Sequence, residues 1–325
     1  MQRGLSMEER EELKKLYQIA RMYYEQDMTQ SQIAKELGIY RTTISRMLKK
    51  IREKEIVQIR INYEAFHDIA VSEQLKERFG LKEVLLVPDK ENQTKDQKRR
   101  AMGQACAKFL DRIVQAGDVV GFSWGTSLAA VAEELEPEKP QEEVICVPLI
   151  GGPDGKLASR YHANTIVYEA ARKWKGDSTL IDVPAIAGNE ELKSALAASG
   201  HFQEVKALWD RLTIAVVGIG SPAINQGDNW KAFYGGTLSP EMEEGEVAGD
   251  ICSNFYDKRG RMMDTELLHR TISIDLQALH KTRYSIGVAE SNEKVEAIKA
   301  ALTAGHLNVL VTTEETAKAL IREGE

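Results

Sequence analysis

Between residues 83 and 321 the chain alternates short apolar runs with longer stretches of helical periodicity, and this alternation limits the possible folds more than any other feature. The runs 83–87, 118–122, 144–149, 180–183, 214–217, 284–288 and 309–312 have strand length. The segments 101–114, 128–135, 164–174, 191–197, 202–209, 294–303 and 314–321 carry apolar residues at helical spacing. Strands that are apolar at nearly every position need cover on both faces. The expected body is therefore α/β, a doubly wound and mostly parallel sheet between helical layers. In such sheets ligands sit beyond the carboxyl ends of the strands.

The first sixty residues follow a different pattern. Leu13, Leu16, Ile19, Ala20 and Tyr23 recur every three or four residues and predict one helix over 7–26. Thr29 and Gln32 have capping-box spacing, which starts a second helix over 30–37 with Ile33 and Leu37 inward. Gly38 supplies the sharp turn. A third helix starts at Arg41, with Ile44, Leu48 and Ile51 on its inner face. Its outer face holds Arg41, Thr42, Thr43, Ser45 and Arg46, side chains suited to base edges and phosphates in a major groove. The alternation over 56–61 suggests a strand, as in a winged helix-turn-helix. An unrelated three-helix packing unit is the alternative. The division expected is a helix-turn-helix DNA-binding domain at 1–62 and an effector-binding and oligomerisation domain at 63–325.

Charge supports that division. The 325 residues carry 43 Lys and Arg against 50 Asp and Glu, a net charge of -7. Residues 1–62 hold 13 basic and 9 acidic side chains, so the head is +4 and the remainder -11. A basic module on an acidic body points to a polyanion partner for the module alone.

Several classes are disfavoured. No apolar run approaches the roughly 20 residues needed to cross a bilayer, and the first ten residues lack the apolar core of an export signal, so no membrane partner is expected. Cys106, Cys146 and Cys252 are scattered, without CxxC or metal-ligand spacing. They read as small buried apolar residues in a protein of the reducing cytoplasm, with no metal and no cofactor. No HExxH motif is present, and the six histidines are dispersed along the chain.

Four strand-end loops are candidates for ligand binding. In Ser123-Trp124-Gly125-Thr126-Ser127, Gly125 permits close backbone approach while helical N–H groups and hydroxyls face outward, an arrangement that holds phosphate without a Lys. An ordinary capped turn remains the alternative. Gly151 and Gly152 open a second loop, which leads to His162, and 217–222 forms a third. In the fourth, Asp250 lies among small and apolar residues, where it could accept from two sugar hydroxyls or cap a helix. Lys294 heads a helix, an unfavourable place for a cation unless an anion binds there. None of these loops matches the dinucleotide or nucleotide Gly-rich fingerprints.

Taken together, Tyr23-Tyr24, Thr29 to Ala34, Leu37-Gly38, Thr43 to Leu48, Gly117 to Thr126, Val217 to Gly220, Gly249 to Ile251, Phe255 to Asp257 and Lys294 to Thr312 resemble the SorC family of bacterial sugar-responsive transcription regulators. The resemblance runs essentially end to end. It implies a body related in fold to sugar-phosphate isomerases and glucosamine-phosphate deaminases but used as a sensor. It also implies operator DNA as partner, a phosphorylated sugar or polyol as effector, and a homo-oligomer, usually a tetramer. Ser123, Gly125, Thr126 and Lys294 are then the implied phosphate contacts and Asp250 the implied hydroxyl contact. In one branch of the family a Lys just before the Gly-Gly loop forms a Schiff base with its sugar. Ile150 stands there and cannot form an imine, so noncovalent capture is expected. The rival is a sugar-phosphate isomerase or deaminase with an accessory DNA-binding head. It would need an acid–base pair, for which Asp250 and His162 are the only nominees.

Overall fold

The computed structural model describes residues 7–54, 56–57, 67–90, 92–153, 157–222 and 246–322. The chain divides into two compact units, 1–66 and 67–325.

The first unit is a trihelical core. Helices α1 (Met7–Tyr24), α2 (Gln30–Leu37) and α3 (Arg41–Glu53) bury Leu16, Ile19, Ile33, Ile44, Leu48 and Ile51 together. Thr29 and Gln32 form the expected capping box, each side chain satisfying the other's backbone N–H. Gly38 ends α2 at φ 65°, in the left-handed region where a side chain would be strained. Ile56 and Val57 pack against this core, and the rest of the strand expected over 56–61 lies outside the described residues.

The second unit is a seven-stranded, all-parallel sheet. After α4 (His67–Phe79) come β1 (Glu83–Val87), α5 (Lys95–Ile113), β2 (Val119–Phe122), α6 (Thr126–Glu134), β3 (Ile145–Pro148), α7 (Ala163–Trp174) and β4 (Asp177–Ser178). They are followed by α8 (Glu190–Ala197), α9 (Gly200–Asp210), β5 (Ile214–Gly218), a hairpin of β6 (Val247–Ile251) and β7 (Asn254–Asp257), α10 (Glu266–Arg270) and α11 (Leu276–Leu279). The chain closes with β8 (Tyr284–Val288), α12 (Val295–Thr303), β9 (Val309–Thr313) and α13 (Glu314–Arg322). Strand order is β1-β9-β8-β5-β2-β3-β4, with β6 and β7 as a separate antiparallel pair.

The sheet is covered on both sides, as its continuous apolar runs require. On β5, Ile214 and Val216 join one core with Phe122, Val131 and Trp174, while Ala215 and Val217 join the other with Val205, Trp209 and Ile298. All three cysteines are buried and unpaired, and burial pushes the Cys106 thiol up to about 12. No described helix is long and apolar enough to cross a membrane.

Three expectations need correction. Residues 180–183 form no strand; the short edge strand is Asp177–Ser178, and the later segment makes only isolated bridges, such as Gly152 with Pro184. Helix α5 begins at Lys95 rather than 101, because Thr94 and Gln97 form a second capping box inside what reads as a polar linker. The β6–β7 hairpin was not expected at all.

Candidate functional site

On the N-terminal unit, α3 turns Arg41, Thr42, Ser45 and Arg46 to solvent, with Thr43 half-buried beside them. They share one face because Ile44, Leu48 and Ile51 claim the other. Arg41 also borders a groove of about 580 Å³ with Tyr23, Tyr24, Gln30 and Ser31, so helices α1 to α3 contribute to one polar concavity. The sequence reading missed Tyr40, which caps α3 through its backbone and is 84% exposed. An aromatic outside the helical stripe, next to the basic face, was the available signal.

On the larger unit, the sheet topology itself selects a location. From β2 the chain moves outward through β3 and β4, then returns to place β5 on the other side of β2. Connections therefore diverge between β2 and β5, and open α/β sheets bind their ligands in the crevice beyond the strands' carboxyl ends at such a point. The Ser123 loop follows β2 and the Gly218 loop follows β5. Ser123, itself buried, joins them by accepting the Gly218 N–H on its Oγ at 3.1 Å. Its side chain also bonds Cys252 in the hairpin turn.

Gly125 adopts φ 123° and starts α6 with no side-chain cap, while its own N–H donates to the Tyr161 carbonyl at 3.0 Å. The first turn of α6, at Thr126 and Ser127, therefore begins without a side-chain cap from its own N-cap residue. Trp124 is half-buried in the same turn.

The hairpin brings Asp250 to this point. Asp250 and Gly220 exchange both backbone hydrogen bonds, at 2.9 and 3.2 Å, which fastens β6 across the end of β5. The carboxylate is 5% exposed and accepts from the Ser253 N–H at 3.2 Å. It lies directly over Gly220, where any Cβ would come within 1.8 Å of Oδ1, so only glycine leaves the carboxylate its place. The hairpin turn is tight: Cys252 and Ser253 both have positive φ, at 52° and 59°. Non-glycine residues so held concentrate at functional sites.

Lys294 ends a 3-10 turn over Asn292–Lys294 and precedes α12, as expected. Its Nζ donates to the Ile219 carbonyl at 2.7 Å, which carries the ammonium back toward the β5 loop. Burial pushes its pKa down, Asp250 and Glu290 pull it back up, and Arg99 pushes it down again. Ser123, Gly125 and Thr126 follow β2, while Asp250 and Lys294 are tied to the loop after β5 through Gly220 and Ile219, so these five residues come from three separate stretches of chain.

The Gly-Gly loop is placed differently. The Gly151 N–H donates to Ile272 and the Gly152 N–H to Val183, and a Cβ on Gly151 would lie 2.7 Å from the Pro184 carbonyl. These glycines permit tight backbone packing, and their N–H groups are already engaged. Ile150, 1% exposed, bridges to Ser273. His162 gives its Nε2–H to the Leu157 carbonyl at 2.9 Å, a structural bond. Two histidines far apart in sequence, His280 and His306, do meet, at 2.9 Å. Among the described residues no group of three or more His, Cys, Asp or Glu side chains could hold a metal ion.

Comparison with known proteins decides the family. The sugar-binding domain family matches residues 63–322. A sorbitol operon regulator of Klebsiella pneumoniae is 47% identical over 316 residues, 97% of this chain and 100% of its own length. The chain belongs to the SorC family of transcription regulators. The crystal structure of the full-length Klebsiella pneumoniae regulator SorC superposes with a TM-score of 0.75, covering 95% of this chain and 98% of that one. A deoxyribonucleoside regulator of Bacillus subtilis strain 168 is 32% identical over 97% of this chain and 99% of its own. These SorC-family relatives are named as transcription regulators, not as isomerases or deaminases, in keeping with the expectation of a non-enzyme.

Proposed function

We propose that this chain binds operator DNA through the exposed face of α3 and releases or tightens its hold when a phosphorylated sugar or polyol enters the β2/β5 crevice. Arg41, Thr42, Thr43, Ser45 and Arg46 read or clamp the duplex. In the crevice the phosphate rests on Ser123, Gly125, Thr126 and Ser127 and on the ammonium of Lys294, with Trp124 alongside. Asp250 accepts hydroxyl protons. Gly151 and Gly152 shape the wall by steric permission rather than by donating to the ligand. Capture is noncovalent, because Ile150 offers no amine. The protein works in the cytoplasm as a homo-oligomer, in our reading a tetramer.

The observation that carries this reading is Lys294: a cation pressed against a helix start and a strand-end carbonyl, its charged form disfavoured by burial. An anion at the uncapped start of α6 would relieve that penalty. The Klebsiella pneumoniae relative is named for a sorbitol operon, so sorbitol 6-phosphate is the first probe. Titration calorimetry should show binding to the intact chain and a loss of at least tenfold in affinity, about 1.4 kcal/mol, in Thr126→Val/Lys294→Ala. Operator binding by that double variant should persist, without response to the probe. Undiminished affinity would place the ligand elsewhere.

A further inference from the structure

Helices α5 and α6 run side by side, since both lead from one parallel strand to the next. Their contact is close because Gly103 has no side chain: a Cβ there would lie 2.7 Å from the Ala130 carbonyl oxygen. That contact sets the register of the two helices. Arg100 and Gln104, which flank Gly103 in sequence, both bind the carboxylate of Glu134, at 2.7 and 2.8 Å. Arg99 belongs to α5 and Thr126 to the first turn of α6. Both line a single cavity of about 340 Å³, together with Arg160 and Tyr161.

Arg99 is therefore carried to the first turn of α6 by helix packing. Its side chain is 30% exposed, and its ion-pair partner is Asp96, at 2.7 Å and 88% exposed. A pair so open to water holds its guanidinium only weakly. Arg160, across the cavity, lies 4.8 Å over the ring of Tyr161, the residue whose carbonyl fixes Gly125.

We propose that Arg99 is a specificity-determining residue of the effector crevice, the second cation on the ligand's phosphate, opposite Lys294. This rests on the phosphate reading above and extends it from a charge to a charge state. Two like charges directed at one helix start repel each other, and a single negative charge offsets only part of that repulsion. A doubly ionised phosphate offsets it fully and matches the planar fork of a guanidinium. The crevice then ranks a phosphate monoester above a sugar acid of the same length, and a sugar acid above the uncharged polyol. Arg99 needs only to exchange the exposed Asp96 for the ligand, whereas Arg100 is fixed on Glu134.

The test is calorimetry on the full chain with sorbitol 6-phosphate, gluconate, sorbitol and inorganic phosphate, for wild type, Arg99→Gln, Arg99→Lys and Thr126→Val/Lys294→Ala. Arg99→Gln should bind sorbitol 6-phosphate at least tenfold more weakly and compress the gap between phosphate and carboxylate ligands. Arg99→Lys should recover most of that gap. Thermal unfolding of both single variants should match wild type without ligand. An Arg99→Gln affinity within twofold of wild type, alongside loss in the double variant, overturns the role of Arg99 and leaves the phosphate reading standing. Equal losses for sorbitol 6-phosphate and uncharged sorbitol overturn it too, since a charge selector cannot act so. If wild type binds neither phosphate ligand, or the double variant binds both normally, the phosphate reading itself falls.

Discussion

Individual side chains here hold positions that chemistry makes costly elsewhere. His306 is the clearest titrating case. It is 4% exposed, donates from Nε2 to the Gly260 carbonyl at 2.7 Å, and so presents a bare Nδ1 to His280. Burial holds its pKa below the ordinary value; the Gly260 bond raises it partway and His280 lowers it again. The unfolded chain therefore takes up this proton near pH 6.5, before the folded protein does. Stability from this site is complete above that pH, declines as pH falls through 6.5 toward the folded value, and is lost below it. Urea midpoints of wild type and His306→Gln should diverge less at pH 5.5 than at pH 7.5. A constant difference across that range would remove His306 from the linkage.

Among the elements, the second capping box and the first differ in what their loss would do. Thr29 begins α2, an eight-residue helix that has little stability of its own and that seats α3 through Ile33. Thr29→Ala should cost about 1 kcal/mol of stability, read as a lower urea midpoint of the N-terminal transition. Operator affinity should fall with it, since the tilt of the recognition helix depends on α2. Ligand affinity at the crevice should stay unchanged. Were operator binding to survive untouched, α2 would not be what positions Arg41 to Arg46. Thr94 belongs to a 19-residue helix with a large buried face, so its cap matters less to existence than to where Arg99 lies.

At the scale of the molecule, the two functions can be linked only through a difference in affinity between states. If sorbitol 6-phosphate changes operator affinity by some factor, operator DNA must change sorbitol 6-phosphate affinity by the same factor. Measuring both, by fluorescence anisotropy on a labelled operator and by calorimetry with and without DNA, should return equal ratios. A change in one without the other would mean the ligand acts on a species other than the DNA-bound protein. The charge division argues for a steep salt dependence of operator binding, since the basic residues cluster in the head while the body is -11.

Much of this was local information. Helix stripes, the Thr29 cap, the Gly38 turn and strand-length apolar runs are governed by neighbours within a few residues, so they were readable from Leu16, Ile44 or Val216 and their spacing. The short edge strand and the hairpin were not, because a strand exists only through its partner. Leu180 and Ile181 are apolar enough to pair, yet Asp177 and Ser178 take the edge. The pairing of Gly220 with Asp250 was likewise a tertiary matter: Gly220 is glycine because Asp250, thirty residues on, lies over it. Arg99 and Thr126 line one cavity because Gly103 lets two helices touch. The chain's own order specified the parts and their chemistry; which of them stand within reach of one ligand was decided by packing between residues far apart in sequence.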